Sequence, residues 1–260
     1  MSGNVLVERE GPVLRITLNA PDTLNAIDLA MQTRLLHLFQ DLRTDRETAV
    51  VVLTGAGRAF SAGGDLNHNL VVRDDPALVK QEFDLARRFV NTLLDVEQPV
   101  IARLNGDAVG LGATLALLCD LTVAADTARI GDPHVRVGLV AGDGGAIAWP
   151  MLVGYARARQ YLLGGDLLAA AEAQKIGLIN FSVPPAELDA LVDHWAQRFA
   201  NSARHALQWT KATINIGLKD QALKMLDAGL AYEMSSLASA DHLEAIHAFQ
   251  QKRKPQFGRH

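Results

Sequence analysis

Apolar residues along this chain change period several times, and each change marks an element. "NVLVERE" (4–10) and "VLRITLNA" (13–20) are two β-type runs separated by Gly11-Pro12, the pattern of a hairpin. Asp28 then stands where a helix N-cap belongs. Met31, Leu35, Leu38 and Leu42 follow it at helical spacing, with Phe39 on the same side. "AVVVLTG" (49–55) is an unbroken β-branched run, as expected of a strand buried on both faces. A glycine-rich loop, "GAGRAFSAGGD", follows. Pro76 opens a helix to about Asp95, and Pro99 precedes the strand "VIARLNG". The unit recurs: "GLGATLALLCD" starts a helix and "LTVAAD" is a buried strand. "IGDPHVRVGLVAGDGG" (130–145) reads as a loop headed by a short strand, and "INFSV" is the last clear strand.

Strands, glycine loops and helices in series predict an α/β fold with the loops gathered at one end of the strands. No internal sequence repeat accompanies this order. From about Pro184 the chain is helical. Leu188, Leu191, Val192, Trp195 and Phe199 form one apolar face; Leu223, Leu226, Leu230, Met234 and Leu237 form another. Such faces suit either a neighbouring subunit or the chain's own core, with the subunit favoured.

Composition narrows the function. With 260 residues, 49% of them hydrophobic, the chain can bury a large core. A net charge of −4, with 25 basic residues spread along the sequence, leaves no footprint for nucleic acid. The single cysteine, Cys119, allows neither a disulfide framework nor a cysteine metal site. The first residues lack a signal-peptide pattern, and no apolar run reaches membrane-spanning length, so a cytoplasmic protein is expected.

Two glycine loops, "AFSAGGD" (59–65) and "NGDAVGLGATLALLCD" (105–120), carry candidate chemistry. Small residues let backbone N–H groups approach a ligand, and two such groups facing one point make an oxyanion hole. In this order the loops resemble the crotonase superfamily, the enoyl-CoA hydratase/isomerase family. The resemblance runs from "LNAPDTLNAI" (18–27) through both loops, "GLVAGDGG" and "LLGGDLLAAAEAQKIGLIN" to "AIHAFQQKRKPQF", nearly the whole chain.

The resemblance implies a spiral of ββα units over residues 1–200, holding the coenzyme A and oxyanion-hole loops. It implies a helical region over 201–260 that builds homotrimers or dimers of trimers. It further implies an acyl-CoA substrate, no prosthetic group and no metal, with an enolate stabilised in the hole. The hole donors would be the N–H groups of Gly64 and Leu111. The family usually has glycine at the second position, so leucine narrows the pocket roof. CoA contacts would come from Leu24, Ala26, Ala62, Asp65 and Leu66. Phe249 and Lys252 match positions that meet the adenine and its 3′-phosphate, often from a neighbouring subunit.

Family hydratases place two glutamates beside the reacting carbons, and the matching positions here are Thr114 and His134. Threonine has no means to act as a base at neutral pH, whereas histidine titrates close to it. His134 is therefore the expected acid/base, with Asp143 as its orienting partner. Several family isomerases carry a carboxylate one residue earlier, at the position of Gly142. The crotonase-like β-diketone hydrolases resemble this loop more closely, with Pro-His followed at the same spacing by an aspartate in Gly-Asp-Gly. Those enzymes use a further histidine after the "NG" motif, and residues 107–119 contain none. Asp143 could instead be a turn residue or a partner of Arg136. His68 follows the first loop and could reach the pocket mouth, with helix-start solvation favoured, and Asp120 reads as a structural hydrogen bond. No Ser–His–Asp motif or metal-ligand spacing appears. Three functions stand open: hydratase/isomerase chemistry through a His/Asp pair, retro-Claisen hydrolysis of a β-diketone or β-ketoacyl-CoA, and acyl-CoA binding without turnover.

Overall fold

The computed structural model describes residues 3–258. Strands β1 (Val5–Glu10) and β2 (Val13–Leu18) form the expected antiparallel hairpin. β2 then pairs in parallel with β3 (Val50–Gly55), and the sheet continues through β5 (Val100–Leu104), β7 (Leu121–Ala125) and β10 (Phe181–Val183), all parallel. Both faces of this six-stranded sheet are covered, so β3 and β7 are buried at every position. On one side lie helices α1 (Leu29–Asp41) and α3 (Pro76–Asp95). On the other lies α7 (Pro185–Ala200), with Leu188, Val192 and Ala196 against Val50, Val52, Ile101 and Val123. Asp28 caps α1 as expected, accepting from the N–H of Met31 at 2.7 Å.

A second, four-stranded sheet positions the site. Its order is β4 (Ala59–Ser61), β6 (Asp107–Val109), β8 (Arg129–Gly131) and β9 (Leu168–Ala169). Three times in succession the chain leaves a strand of the large sheet and enters the neighbouring strand of the small one. After β4 comes α2 (Leu66–Val72), after β6 comes α4 (Leu111–Leu117), and after β8 comes a 3-10 turn, His134–Val137. Because β4, β6 and β8 are hydrogen-bonded neighbours, the residues that follow them emerge side by side. The strand pairing of β6 with β8 carries on past the end of β6, with the N–H of Gly110 bonded to the Gly131 carbonyl at 2.9 Å.

The sequence pattern gave only β8 of this small sheet, as the short strand heading the 130–145 loop, and missed β4, β6 and β9, which have only two or three residues each. It also missed α5 (Gly145–Gly164), where glycine and Pro150 mask the helix and Gly154 interrupts it at φ 77°. After α6 (Ala170–Lys175) and β10, the chain ends in α7, the long α8 (Arg204–Leu237) and α9 (Ala240–Gln250). The two apolar faces read from the sequence fold back on this chain. The α7 face covers the large sheet, while Leu226 and Leu230 enter the main core and Leu237 packs with Val72 and Leu139. Leu223, counted in that second face, is exposed instead.

α8 docks on the 140s loop through glycine against glycine. A Cβ at Gly142 would overlap the carbonyl oxygen of Gly229, so the two backbones approach as only glycine permits. Gly142→Ala is therefore expected to destabilise the fold by about 1–3 kcal/mol, the usual cost of overpacking. Gly217→Ala, in α8 with open space around it, should instead stabilise by roughly 0.5–1 kcal/mol. Thermal melts of the two variants check the contrast.

Candidate active site

The three emerging segments enclose a cavity of about 310 Å³. Its wall includes Gly63, Gly64 and Asp65 after β4, Gly110 and Leu111 after β6, and Pro133 and His134 after β8. Leu111 is the first residue of α4, so its N–H has no intrahelical carbonyl to bond. A side-chain carbon on Gly63 would lie 3.6 Å from that nitrogen, while one on Gly64 would meet nothing within 4 Å. Both proposed hole donors thus belong to backbone at the cavity wall. Gly110, at φ 53°, turns the chain between β6 and α4, and a Cβ there would sit 3.4 Å from Cε1 of His134. The imidazole therefore lies directly beside the second loop.

His134 is held from both edges. Its Nδ1 meets Oδ1 of Asp132 in a short contact, and Asp132 is wholly buried. Its Nε2 faces Oδ2 of Asp143 at 3.6 Å, too far for a direct hydrogen bond. The other Asp143 oxygen accepts from the Thr114 hydroxyl at 3.1 Å, and the carboxylate also takes the N–H of Gly145. Gly145 begins α5, whose N-terminal dipole favours negative charge at this point. Arg136, the alternative partner for Asp143, pairs with Asp166 instead.

The charges shift one another. Burial works against an imidazolium, yet Asp132 and Asp143 outweigh it and hold His134 well above its usual range. Burial pushes the Asp143 carboxyl up, and Asp132 adds to this, while His134, Thr114 and Gly145 oppose it. Asp132, His134 and Asp143 place their ligand atoms within 4.8 Å of one another, close enough to suggest a metal cage. The carboxylates, however, address opposite nitrogens of one ring, so the imidazole stands where an ion would. The arrangement is a carboxylate–imidazole–carboxylate row that can keep a proton at Nε2 and deliver it into the cavity.

The remaining expected residues divide. Ala62, Asp65, Leu66 and Phe249 line the same cavity. Leu24 lies behind it, its carbonyl accepting from Ala62 N–H at 2.9 Å, and the Ala26 N–H is bonded to Thr23. Lys252 is exposed on the turn that ends α9. Thr114 is buried beneath Asp143 rather than on the wall. His68 does not simply face solvent: its Nε2 pairs with Glu82 at 2.8 Å, and both residues line the cavity. Asp120 makes the structural bond expected of it, accepting from Val100 N–H at 2.7 Å, and also pairs with Lys211.

Two residues escaped the sequence reading. Asp132 stands just before Pro133-His134, a spacing that could have signalled an orienting carboxylate. Glu233 comes from α8, a distance along the chain that no local pattern reveals, and burial pushes its carboxyl up to about 8 with Asp143 adding to the effect.

With this geometry in hand, comparison with known proteins is decisive. The enoyl-CoA hydratase/isomerase family model matches residues 8–260. The chain belongs to that family. It is 33% identical to a short-chain-enoyl-CoA hydratase of Clostridium acetobutylicum, over 96% of each chain. It is 35% identical to a 2,3-dehydroadipyl-CoA hydratase of Escherichia coli, over 97% of this chain and 98% of that one. A crystal structure of an enoyl-CoA hydratase/isomerase from Mycobacterium paratuberculosis superposes with a TM-score of 0.89 at 36% identity, covering 95% of this chain and 98% of that one. The fold is that of the crotonase superfamily. Among the described residues no helix is long and apolar enough to cross a membrane.

The clamp on His134 predicts a measurable titration. Asp132→Asn removes the carboxylate on Nδ1, so the His134 imidazole should lose its proton at lower pH than in the unaltered protein. Nitrogen-15 NMR of the ring checks this; an unmoved titration would mean that Asp132 does not hold the charge.

Proposed function

We propose that this family member is an enzyme acting on an acyl-CoA thioester through an enolate, with His134 and Asp143 in place of two glutamates. The observation that carries the reading is the meeting of two helix-start loops, with Gly64 and Leu111 N–H groups, beside an imidazole clamped by buried carboxylates. The thioester carbonyl oxygen accepts from the two N–H groups, which act more strongly on the enolate oxygen than on the neutral carbonyl.

In the hydration direction, the Asp143 carboxylate takes a proton from water as the water oxygen bonds to the β-carbon. The alkene electrons move onto the α-carbon and carbonyl oxygen as an enolate. The Nε2–H of His134 then protonates the α-carbon, and the proton on Asp143 crosses the 3.6 Å gap to restore the imidazolium. An α,β to β,γ double-bond shift needs only the proton steps. Thr114 orients Asp143 and transfers no proton itself.

A second reading follows from that hydrogen bond. Asp143, fixed by Thr114 and Gly145, can direct activated water onto a 3-oxo carbonyl, breaking the α–β carbon bond with the enolate held in the same hole. Hydration is registered by loss of enoyl-thioester absorbance, cleavage by a shorter acyl-CoA among the products.

CoA recognition falls to the backbone around Ala62, Asp65 and Leu66, to Phe249 at the cavity and to the exposed Lys252. Homotrimers, alone or paired, would cover the apolar stripe that α8 leaves bare: Trp209, Ile216 and Leu223 recur on one helix face and are 67%, 66% and 76% exposed. Light scattering at micromolar concentration should return a trimer-based mass; a stable monomer would contradict this assembly.

Two outcomes follow for activity. Acyl-CoA thioesters should bind far more tightly than the corresponding free acids in calorimetric titration, and equal affinity would remove the CoA reading. On a substrate found by screening enoyl-CoAs beside 3-oxoacyl-CoAs, His134→Ala should lower kcat by roughly 100- to 10,000-fold. Substrate affinity should change little, because the hole donors are backbone groups on other loops. Near-full activity in that variant would make the histidine structural, and tight binding without any turnover would favour a non-catalytic acyl-CoA carrier.

A further inference from the structure

Glu233 is a carboxyl group at the cavity that has no part in these steps. Glu233 lies one helical turn beyond Gly229, the residue packed on Gly142. A Cβ at Gly142 would come within 3.0 Å of the Glu233 Cβ, so the glutamate enters the site immediately beside the loop that presents Asp143. Its Oε2 is closed off from water and has no hydrogen-bond partner among the described residues. The Gly142 N–H is bonded to the Val140 carbonyl at 2.9 Å and eases the carboxyl's charge only slightly, while Leu230, Met234 and Leu237 on the same helix offer the cavity only apolar atoms.

Two ionised carboxylates are acceptors only, and an unpaired buried charge is costly. If one proton lies between them, both are satisfied through a charge-assisted O–H···O bond. The charge count of the site points the same way. Three carboxylates, Asp132, Asp143 and Glu233, crowd one imidazolium, His134. These are the charged groups that act on Glu233, two from the turn after β8 and one from the 140s loop. The His68–Glu82 pair lies elsewhere on the cavity wall, between α2 and α3.

We propose that Glu233 is a further acid–base residue of this site, its carboxyl group sharing one proton with Asp143. Burial and the like charge of Asp143 together raise its ionisation to about 8, in keeping with a proton retained at neutral pH. Below that pH the pair carries one proton and one negative charge, so Asp143 can accept a further proton and pass it on again while the pair never carries more than one negative charge. Above it the proton is lost and two carboxylates repel. The shared proton itself needs no ligand; its catalytic consequence rests on the acyl-CoA reading above.

Infrared difference spectra recorded on either side of pH 8, without ligand, test the shared proton directly. The unaltered protein should show a protonated-carboxyl C=O band on the acid side that disappears on the alkaline side. Glu233→Gln should abolish this transition, and Asp143→Asn should move it to lower pH by removing the like charge. No such band in the unaltered protein, or a transition unchanged in Glu233→Gln, would overturn the proposal. Circular dichroism of each variant confirms folding.

The catalytic consequence is read from exchange of the α-protons of butyryl-CoA in D2O, followed by proton NMR. Glu233→Gln should slow exchange by about tenfold or more and lose the pH dependence near 8. An identical rate and pH profile would overturn the acid–base role. Absence of exchange by the unaltered protein would count against the acyl-CoA reading, while the infrared result would still decide whether the proton is shared.

Discussion

Asp132 and Asp143 stand at the two nitrogens of His134 and hold its ionisation well above the usual range against the cost of burial. Removing either carboxylate would leave a buried imidazolium short of a counter-charge, and removing the ring would leave two buried carboxylates unopposed. Breaking such a set by one member typically costs about 3–5 kcal/mol. The surrounding structure serves this row. Gly145 begins α5 against Asp132 and Asp143, Thr114 in α4 fixes one Asp143 oxygen, and the Gly142–Gly229 contact brings α8 alongside.

The turn that carries His134 is itself held from behind. His242 of α9 is fully buried, and its Nδ1–H donates to the Val137 carbonyl at 2.6 Å. Its Nε2 meets Asn69 of α2 at 3.3 Å, and Gly138 packs against the first turn of α9. Burial lowers the ionisation of His242, in keeping with a neutral ring that donates at one nitrogen and accepts at the other. The end of the chain thus buttresses the turn after β8, and through Phe249 it also reaches the cavity wall.

Much of this was legible in the residues. β1, β2, β3, α1 and α3 declared themselves by period and by their Gly, Pro and Asp punctuation, and His134 stood out because it occupies an acid/base position of the family. Of the small sheet only β8 was legible, as the strand heading the 130–145 loop, since strands of two or three residues have no measurable period. Yet that sheet aligns the loops of the site. Asp132 was in plain view two residues before His134 and lacked only a reason to be chosen. Glu233 had no local signal at all, because a glutamate on a long amphipathic helix looks like a solvated residue until α8 is seen docked on Gly142. Leu223 erred in the opposite sense: at a helical spacing that suggests burial, it faces outward.

The meeting of hole, histidine and carboxylates is tested most directly by a crystal structure of the protein with a slowly reacting acyl-CoA bound. The thioester oxygen should lie within hydrogen-bond distance of the Gly64 and Leu111 nitrogens, with the α-carbon beside Nε2 of His134 and the β-carbon on the side of Asp143. A thioester seated elsewhere, or an acyl chain directed away from His134, would contradict the assignment.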